Sequence, residues 1–207
     1  MTPTRTAVIA GAGIGGLTAA LSLARAGLHV VILEQAERLE ETGAGIQLSP
    51  NASRLLIGLD LGDRLRAAAV APTALRVLRA RDGREIVRMP LAQVAARFGA
   101  PYWVIHRGDL QAALLEAVQT HPEVKLVLGT RVDRFAVHAA GLTVQGVYAL
   151  PNAKVPARVD TEGSFLIGAD GIWSAVRARL GDKSPPRFAG RVAWRAVPRR
   201  CGCRGRR

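Results

Sequence analysis

A glycine cluster near the amino terminus constrains the fold of this chain more than any other feature. Ala7-Val8-Ile9-Ala10 runs into Gly11-Ala12-Gly13-Ile14-Gly15-Gly16, which continues as Leu17-Thr18-Ala19-Ala20-Leu21. Leu17, Ala20, Leu21 and Ala24 fall at i, i+3, i+4 and i+7, so a helix there has one apolar face. The spacing predicts strand, turn and helix around a G-x-G-x-x-G core. In that arrangement Gly11 permits the tight turn, Gly13 lets the backbone approach a pyrophosphate, and Gly16 lets the helix pack close to the strand. The free N–H groups and the dipole of the helix start then face the phosphates.

The context extends the pattern. Gly27 ends the helix, His29 to Leu33 reads as a second buried strand, and Glu34 closes it 23 residues after Gly11. A carboxylate there accepts hydrogen bonds from a ribose 2′-OH and repels a 2′-phosphate. The alternative is an unrelated strand–turn–helix that ends a strand on a polar residue; it must bring every one of these parts into register by chance. Ala7 to Ala24 also forms an uncharged stretch of 18 residues, close to the length of a membrane span. Four glycines interrupt it, only Arg5 precedes it as a basic residue, and helical period begins after Gly16. We read it as part of a soluble nucleotide fold with no export signal and no membrane span.

Composition removes other classes. The chain has 207 residues and 49% hydrophobic content, enough for a sizeable core. Its formal charge of +13 is concentrated at one end: Arg199, Arg200, Arg204, Arg206 and Arg207 carry five of those charges. The remaining basic residues are spread thinly and are not interleaved with aromatics, so no nucleic-acid partner is expected. Both cysteines, Cys201 and Cys203, belong to the same tail, which leaves no disulfide framework or metal cluster to support the fold. His29, His106, His121 and His138 lack ligand spacing, and no metal site is expected. Cysteine usage fits a cytoplasmic protein.

Further along, Gly43-Ala44-Gly45-Ile46-Gln47-Leu48 reads as a loop entering a short strand, equally compatible with an ordinary flexible loop. Pro50-Asn51 breaks the strand, and Asn51 is the expected cap of a helix carrying Leu55, Leu56, Leu59 and Leu61 and continuing from Asp63 to Val70. Arg81-Asp82-Gly83-Arg84 lies between two strand-like runs, a hairpin signal foreign to a simple βαβ series and therefore an excursion into a second domain. Pro101 to Ile105 is strand-like, and Asp109 is the expected cap of a helix bearing Leu110, Ala113, Leu114, Ala117 and Val118. Arg107, just before that helix, is open to two readings: a guanidinium reaching a phosphate or carboxylate, or a surface arginine. Val124 to Val132 and Phe135 to Val144 read as strands, with a turn at Ala140-Gly141. Gln145 to Gly163, with Pro151, Asn152 and Pro156, reads as loop. Ser164 to Ile167 is a short buried strand that enters Gly168-Ala169-Asp170-Gly171-Ile172-Trp173-Ser174-Ala175-Val176-Arg177. There Asp170 either accepts from a ribose and bound water near phosphates or caps the following helix. Phe188 to Ala196 begins what reads as another strand. The segment from Arg199 onward has neither apolar period nor turn logic; it is a basic tail for an anionic partner or out-of-frame sequence.

Taken together, these segments resemble the amino-terminal half of the FAD-dependent aromatic-ring monooxygenases, the flavoprotein hydroxylases that include salicylate hydroxylase and para-hydroxybenzoate hydroxylase. The resemblance runs over about residues 4–196 and rests on Gly11–Gly16 with Glu34, on Gly43 to Asn51 (similar to the salicylate-hydroxylase branch), on His106 to Leu110, on Gly168 to Arg177, and on Phe188 to Arg195. It implies an α/β fold: a Rossmann-like, GR2-type FAD-binding domain over 1–72 and 100–180, and the beginning of an interleaved β-rich substrate domain over 73–99 and 181–196, with 197–207 an aberrant tail. It implies bound FAD and transient NAD(P)H, with Gly11, Gly13, Gly15, Gly16, Glu34, Gln35, Gly45, Ile46, Arg107, Val132 and Asp170 as cofactor-binding residues. It turns Arg107 and Asp170 toward cofactor contact. The implied reaction is hydroxylation of a small phenolic ring with O₂ through a flavin C4a-hydroperoxide, the protein positioning the flavin and excluding water. No catalytic residue is named, because the family's second flavin motif and most of its substrate sheet have no counterpart in this sequence. The expectation is therefore a truncated or frameshifted hydroxylase. The alternatives are another FAD oxidoreductase on the same scaffold, such as an epoxidase or reductase, an inactive FAD-binding fragment, or a non-enzymatic binding module using the arginine tail.

Overall fold

The computed structural model describes residues 5–39, 44–148 and 157–194. Gly43, the stretch holding Pro151, Asn152 and Pro156, and the basic tail with both cysteines lie outside the described residues. Chain order begins with β1 (Thr6–Ala10), α1 (Ile14–Arg25), β2 (His29–Leu33), β3 (Gly45–Leu48) and α2 (Pro50–Leu56). A helical break at Ile57–Leu61 leads to α3 (Gly62–Ala68), then β4 (Ala74–Leu78), β5 (Glu85–Pro90) and α4 (Val94–Phe98). There follow β6 (Trp103–His106), α5 (Arg107–Thr120), β7 (Val124–Val127), β8 (Thr130–His138), β9 (Gly141–Tyr148), β10 (Ala157–Gly163), β11 (Phe165–Gly168) and α6 (Ala175–Arg179). Among the described residues, no helix is long and apolar enough to cross a membrane. The uncharged stretch from Ala7 is a five-residue strand followed by a twelve-residue helix.

Residue contacts divide the chain into two compact units, Met1–Glu40 with Gln111–Phe188 and Glu41–Leu110 with Ala189–Arg207. The first unit holds a parallel sheet in the order β11-β1-β2-β7. Val8 pairs with Leu166 on one side and Val31 on the other, and Val31 pairs in turn with Lys125. Parallel strands covered on both faces read as continuous apolar runs, as β1 does: Ala7 to Ala10 are all buried. Helix α1 packs against β1, β2 and β7 and buries Leu17, Ala20, Leu21 and Ala24. On the opposite face Val8, Ala10 and Leu33 meet Val132, Leu142 and Val144 of an antiparallel sheet ordered β10-β9-β8.

That second sheet corrects two readings. Residues 145–163 are not loop throughout. β9 continues to Tyr148, and β10 pairs with it from Ala157↔Tyr148 to Gly163↔Leu142. Its Arg158, Asp160 and Glu162 are exposed while the residues between are half-buried, an alternation hidden by its polar content. Val124 to Val132 is not one strand either. Gly129, at φ +68, turns the chain out of the parallel sheet after β7 and into the antiparallel one at β8.

In the second unit β3 pairs antiparallel with β6, from Gly45↔His106 to Leu48↔Trp103. Ser53, fully buried on α2, donates from its hydroxyl to the Pro101 carbonyl at 2.6 Å and ties the helix to the start of β6. Ser49, not Asn51, occupies the N-cap of α2, with Pro50 at the first helical position, where its missing N–H costs nothing. Asn51 lies inside the helix, and its side-chain oxygen accepts from the Ser49 hydroxyl at 2.5 Å. The expected continuous helix breaks at Asp60, which takes φ +63, and α3 stops at Ala68, so Val70 instead bridges Val104. Asp109 is likewise not a cap. α5 begins at Arg107, and the His106 ring nitrogen Nδ1 accepts from the Gly108 N–H at 3.2 Å. The Asp82-Gly83 hairpin is present as β4–β5, with Gly83 at φ +72. Phe188 to Trp194 pairs with no described strand.

Candidate functional site

A cleft of about 380 Å³ opens in the first unit where the parallel strands end. Ala10, Gly11 and Gly13 follow β1; Leu33, Glu34 and Gln35 follow β2; Ala169 to Trp173 with Ala175 follow β11; Thr130, Arg131 and Val132 come from β8. Ligands of open α/β sheets bind at this edge, because the connecting loops there diverge.

Gly11 and Gly16 stand where their spacing predicts a tight turn and close helix packing. Gly11 takes φ +99, donates to the Leu33 carbonyl at 2.8 Å, and passes so close to the β11 turn that a Cβ would lie 2.5 Å from the Ala169 carbonyl oxygen. Gly16 is more crowded. A Cβ there would stand 2.0 Å from the Gly11 carbonyl oxygen, so side-chain-free packing sets how close α1 comes to β1. Gly13 is the opposite case, with nothing within 4 Å of a Cβ built on it. The first intrahelical bond runs from the Leu17 N–H to the Gly13 carbonyl at 2.9 Å. The N–H groups ahead of it have no acceptor within the helix, as at any helix start.

Two carboxylates stand on either side of the turn. Glu34 accepts from the Ala12 N–H at 2.6 Å and from the Ala36 N–H at 2.8 Å. Its main chain is fixed as well: its N–H donates to Val127 at 2.9 Å and its carbonyl accepts from Thr130 at 2.8 Å. A carboxylate offers about four acceptor positions, so capacity remains for hydroxyls. Asp170 anchors the start of α6. It accepts from the Ser174 hydroxyl at 2.6 Å and from the N–H groups of Ala175 and Val176 at 2.7 and 3.1 Å, while the Ser174 hydroxyl oxygen accepts from the Arg177 N–H at 2.9 Å. The same carboxylate lines the cleft, so capping fixes its position there.

Gly11, Gly13, Glu34, Gln35, Val132 and Asp170 therefore share one cleft, with Gly15 and Gly16 in the first turn of the adjoining helix. Gly45, Ile46 and Arg107 form a separate group in the second unit, on paired β3 and β6 and at the start of α5, where the Arg107 N–H donates to the Ala44 carbonyl at 3.1 Å. Of the lining residues, the motif reading left without a role Thr130 and Arg131 and, within the Gly168–Arg177 motif, Ala169 and the Gly171–Trp173 turn. Gly129 was the available signal for the first two, since a turn there starts a new strand at Thr130.

A family model described as an FAD binding domain matches residues 4–198. The chain belongs to the FAD-binding-domain family. It is 41% identical over 192 residues to a 3-hydroxybenzoate 6-hydroxylase of Polaromonas naphthalenivorans (strain CJ2), covering 92% of this chain and 45% of that protein. It is 38% identical over 192 residues to an aurachin C monooxygenase/isomerase of Stigmatella aurantiaca, covering 93% and 47%. Among solved structures, Klebsiella pneumoniae HpxO complexed with FAD and uric acid aligns at TM-score 0.70 and 26% identity, over 86% of this chain and 42% of that one. The tetrameric form of 2-methyl-3-hydroxypyridine-5-carboxylic acid oxygenase also aligns at 0.70 and 26%, over 87% and 43%. The chain thus spans less than half the length of these relatives. FAD suits the residues present: an uncovered backbone at Gly13, a helix start with unpaired N–H groups, and an anchored carboxylate with spare acceptor capacity match a ligand carrying a pyrophosphate and a ribose.

Proposed function

We propose that this chain is the FAD-binding portion of a flavin-dependent monooxygenase that hydroxylates a small phenolic acid of the 3-hydroxybenzoate kind at the expense of NAD(P)H and O₂. The cleft around Gly13 and Glu34 carries the reading, and the names of the relatives supply the substrate class. In it, the first-turn N–H groups of α1, with Gly15 and Gly16, hold the pyrophosphate, and Glu34 accepts from the ribose hydroxyls. Gln35 flanks the ribose, and Val132 contributes through its main chain, since its side chain is buried against Leu33 and Val176. Asp170 orders the far side of the cleft. Gly45, Ile46 and Arg107 form a second cofactor-contacting group. Bound FAD supplies the two-electron chemistry and the activation of O₂. Residues 73–99 and 181–196 begin the substrate region. No catalytic residue is assigned within this chain. A cytoplasmic location belongs to the same reading, because NAD(P)H is a cytoplasmic reductant.

A second reading, FAD binding without turnover, is favoured by coverage of under half of each relative. One experiment separates them. The purified chain is mixed with FAD, bound flavin is measured by absorbance, and oxygen uptake is followed with NADH or NADPH and 3-hydroxybenzoate. Stoichiometric flavin with substrate-dependent oxygen uptake supports the hydroxylase, and flavin without uptake supports the binding fragment. No bound flavin sinks both.

A further inference from the structure

Helix α5 starts without a connecting turn. β6 ends at His106 and α5 begins at Arg107, so the first N–H groups of the helix find their partners at the junction itself. The Arg107 N–H donates to the Ala44 carbonyl at 3.1 Å, next to the Gly45↔His106 pair that closes the β3–β6 ladder. The Gly108 N–H donates to His106 Nδ1 at 3.2 Å. Gly108 is buried, and a buried N–H left without a partner costs as much as a lost hydrogen bond. The two bonds pin the main chain on both sides of the Arg107 Cα, while the Arg107 side chain itself is exposed.

Ring chemistry decides which atom of His106 matters. An accepting Nδ1 carries no proton, so the imidazole here stands in for the side-chain oxygen of an Asn or Asp, which takes an N–H two residues on in the same way. The device recurs beyond the far end of α5, where His121 Nδ1 accepts from the Glu123 N–H at 3.3 Å. We propose that His106 is a positioning residue that aims Arg107 at the cofactor. The inference rests on the reading above in which Arg107 contacts FAD. A frayed first turn lets a long arginine side chain sweep through many directions, whereas a capped one launches it from a fixed Cα. A capping bond of ordinary strength shifts the balance between ordered and frayed turn by about fivefold. Loss of FAD affinity follows that balance if only the ordered turn presents Arg107.

The test measures FAD affinity by quenching of flavin fluorescence, and stability by urea denaturation, in wild type and variants. Asn places its Oδ1 where Nδ1 stands, whereas Gln reaches toward the Nε2 position. His106→Asn is therefore expected to bind FAD like wild type, and His106→Ala and His106→Gln about fivefold more weakly. His121→Ala removes a similar bond and is expected to lose stability without losing affinity. Adding His106→Ala to Arg107→Ala is expected to weaken FAD no further, because one residue acts through the other. Wild-type affinity in His106→Ala, equal affinity or the reverse order in the Asn and Gln variants, an equal loss in His121→Ala, or a full further loss in the double variant overturns the proposal. Should His106→Ala fail to fold, the Asn and Gln variants decide. Wild-type affinity in Arg107→Ala removes the Arg107 contact and this inference with it, and failure of the wild type to take up FAD removes the FAD reading as a whole.

Discussion

β1 in the first unit and the β4–β5 hairpin in the second treat apolar residues in opposite ways. Ala7, Val8 and Ile9 are at 0% exposure because layers cover both faces of their sheet, while Val77, Val87 and Met89 keep 47%, 45% and 48% of their surface. Hairpin pairing places Leu75↔Met89 and Val77↔Val87 on one side and Arg76↔Arg88 on the other. The register shifts after Val77, Leu78 and Ile86 are exposed as well, and among the described residues the apolar side stays open. Both regions have paired strands, so what chiefly separates them is side-chain burial, worth about 25 cal/mol per Å² of apolar surface. A two-stranded hairpin is marginal without such cover.

The largest expected effect comes from the glycine turn, where fold and ligand requirements can be separated. Gly16→Ala forces a Cβ to within 2.0 Å of main-chain oxygen, and the neighbour cannot yield as a flexible side chain would. Overpacking of this kind costs about 3 kcal/mol, and chemical denaturation should show at least that loss. Gly13→Ala meets nothing within 4 Å. It should leave the denaturation midpoint nearly unchanged while removing FAD binding in a flavin titration. Equal stability of the two variants would contradict the division of roles.

The comparison between regions sharpens with a truncation on each side. Leu17→Ala removes a side chain at 0% exposure under the parallel sheet and should cost about 3 kcal/mol. Met89→Ala removes one at 48% exposure and should stay within about 0.5 kcal/mol. Thermal or denaturant unfolding of the two variants decides the matter, and similar losses would show that the hairpin is covered in solution.

How much of this was readable beforehand depends on how local each cause is. The β1 turn, α1 and β2 were legible because glycine spacing, helical period and a closing acid all lie within 30 or so consecutive residues. The Asp82-Gly83 hairpin was legible for the same reason. β10 was not, because its Arg158, Asp160 and Glu162 mask a strand whose partner β9 supplies the pattern; β-propensity depends on such neighbours. Helix starts were misassigned by two or three positions at Asn51 and Asp109, since several short polar residues compete there and Pro50 or His106 decides the outcome. Within the site, Gly13 and Glu34 could be named from the motif. Thr130 was not named, although Gly129 signals a new strand beginning there.

The smallest effect concerns one acidic side chain in each unit. Asp82 is held below the usual carboxylate range first by the Arg79 guanidinium, at 2.9 Å from Nε, and then by the Arg84 N–H. Asp182 is lowered chiefly by the Ser184 N–H, at 2.9 Å, and the Ser184 hydroxyl, with the charge of Arg177 the weakest contribution. Both folded values lie below the unfolded one, so each contact stabilises fully above the ordinary carboxylate pKa of 3.8 and is lost as pH falls through the folded value. Salt separates their causes. Screening weakens exposed ion pairs far more than short hydrogen bonds to neutral donors. Carboxyl resonances followed by NMR through an acid titration should therefore show the Asp82 midpoint moving up toward its ordinary value at high salt, with Asp182 moving less. Arg79→Ala should reproduce the Asp82 shift without salt. If both midpoints rise equally with salt, the hairpin turn owes nothing special to its arginine, and its order comes from the main-chain bonds at Arg84 and Gly83.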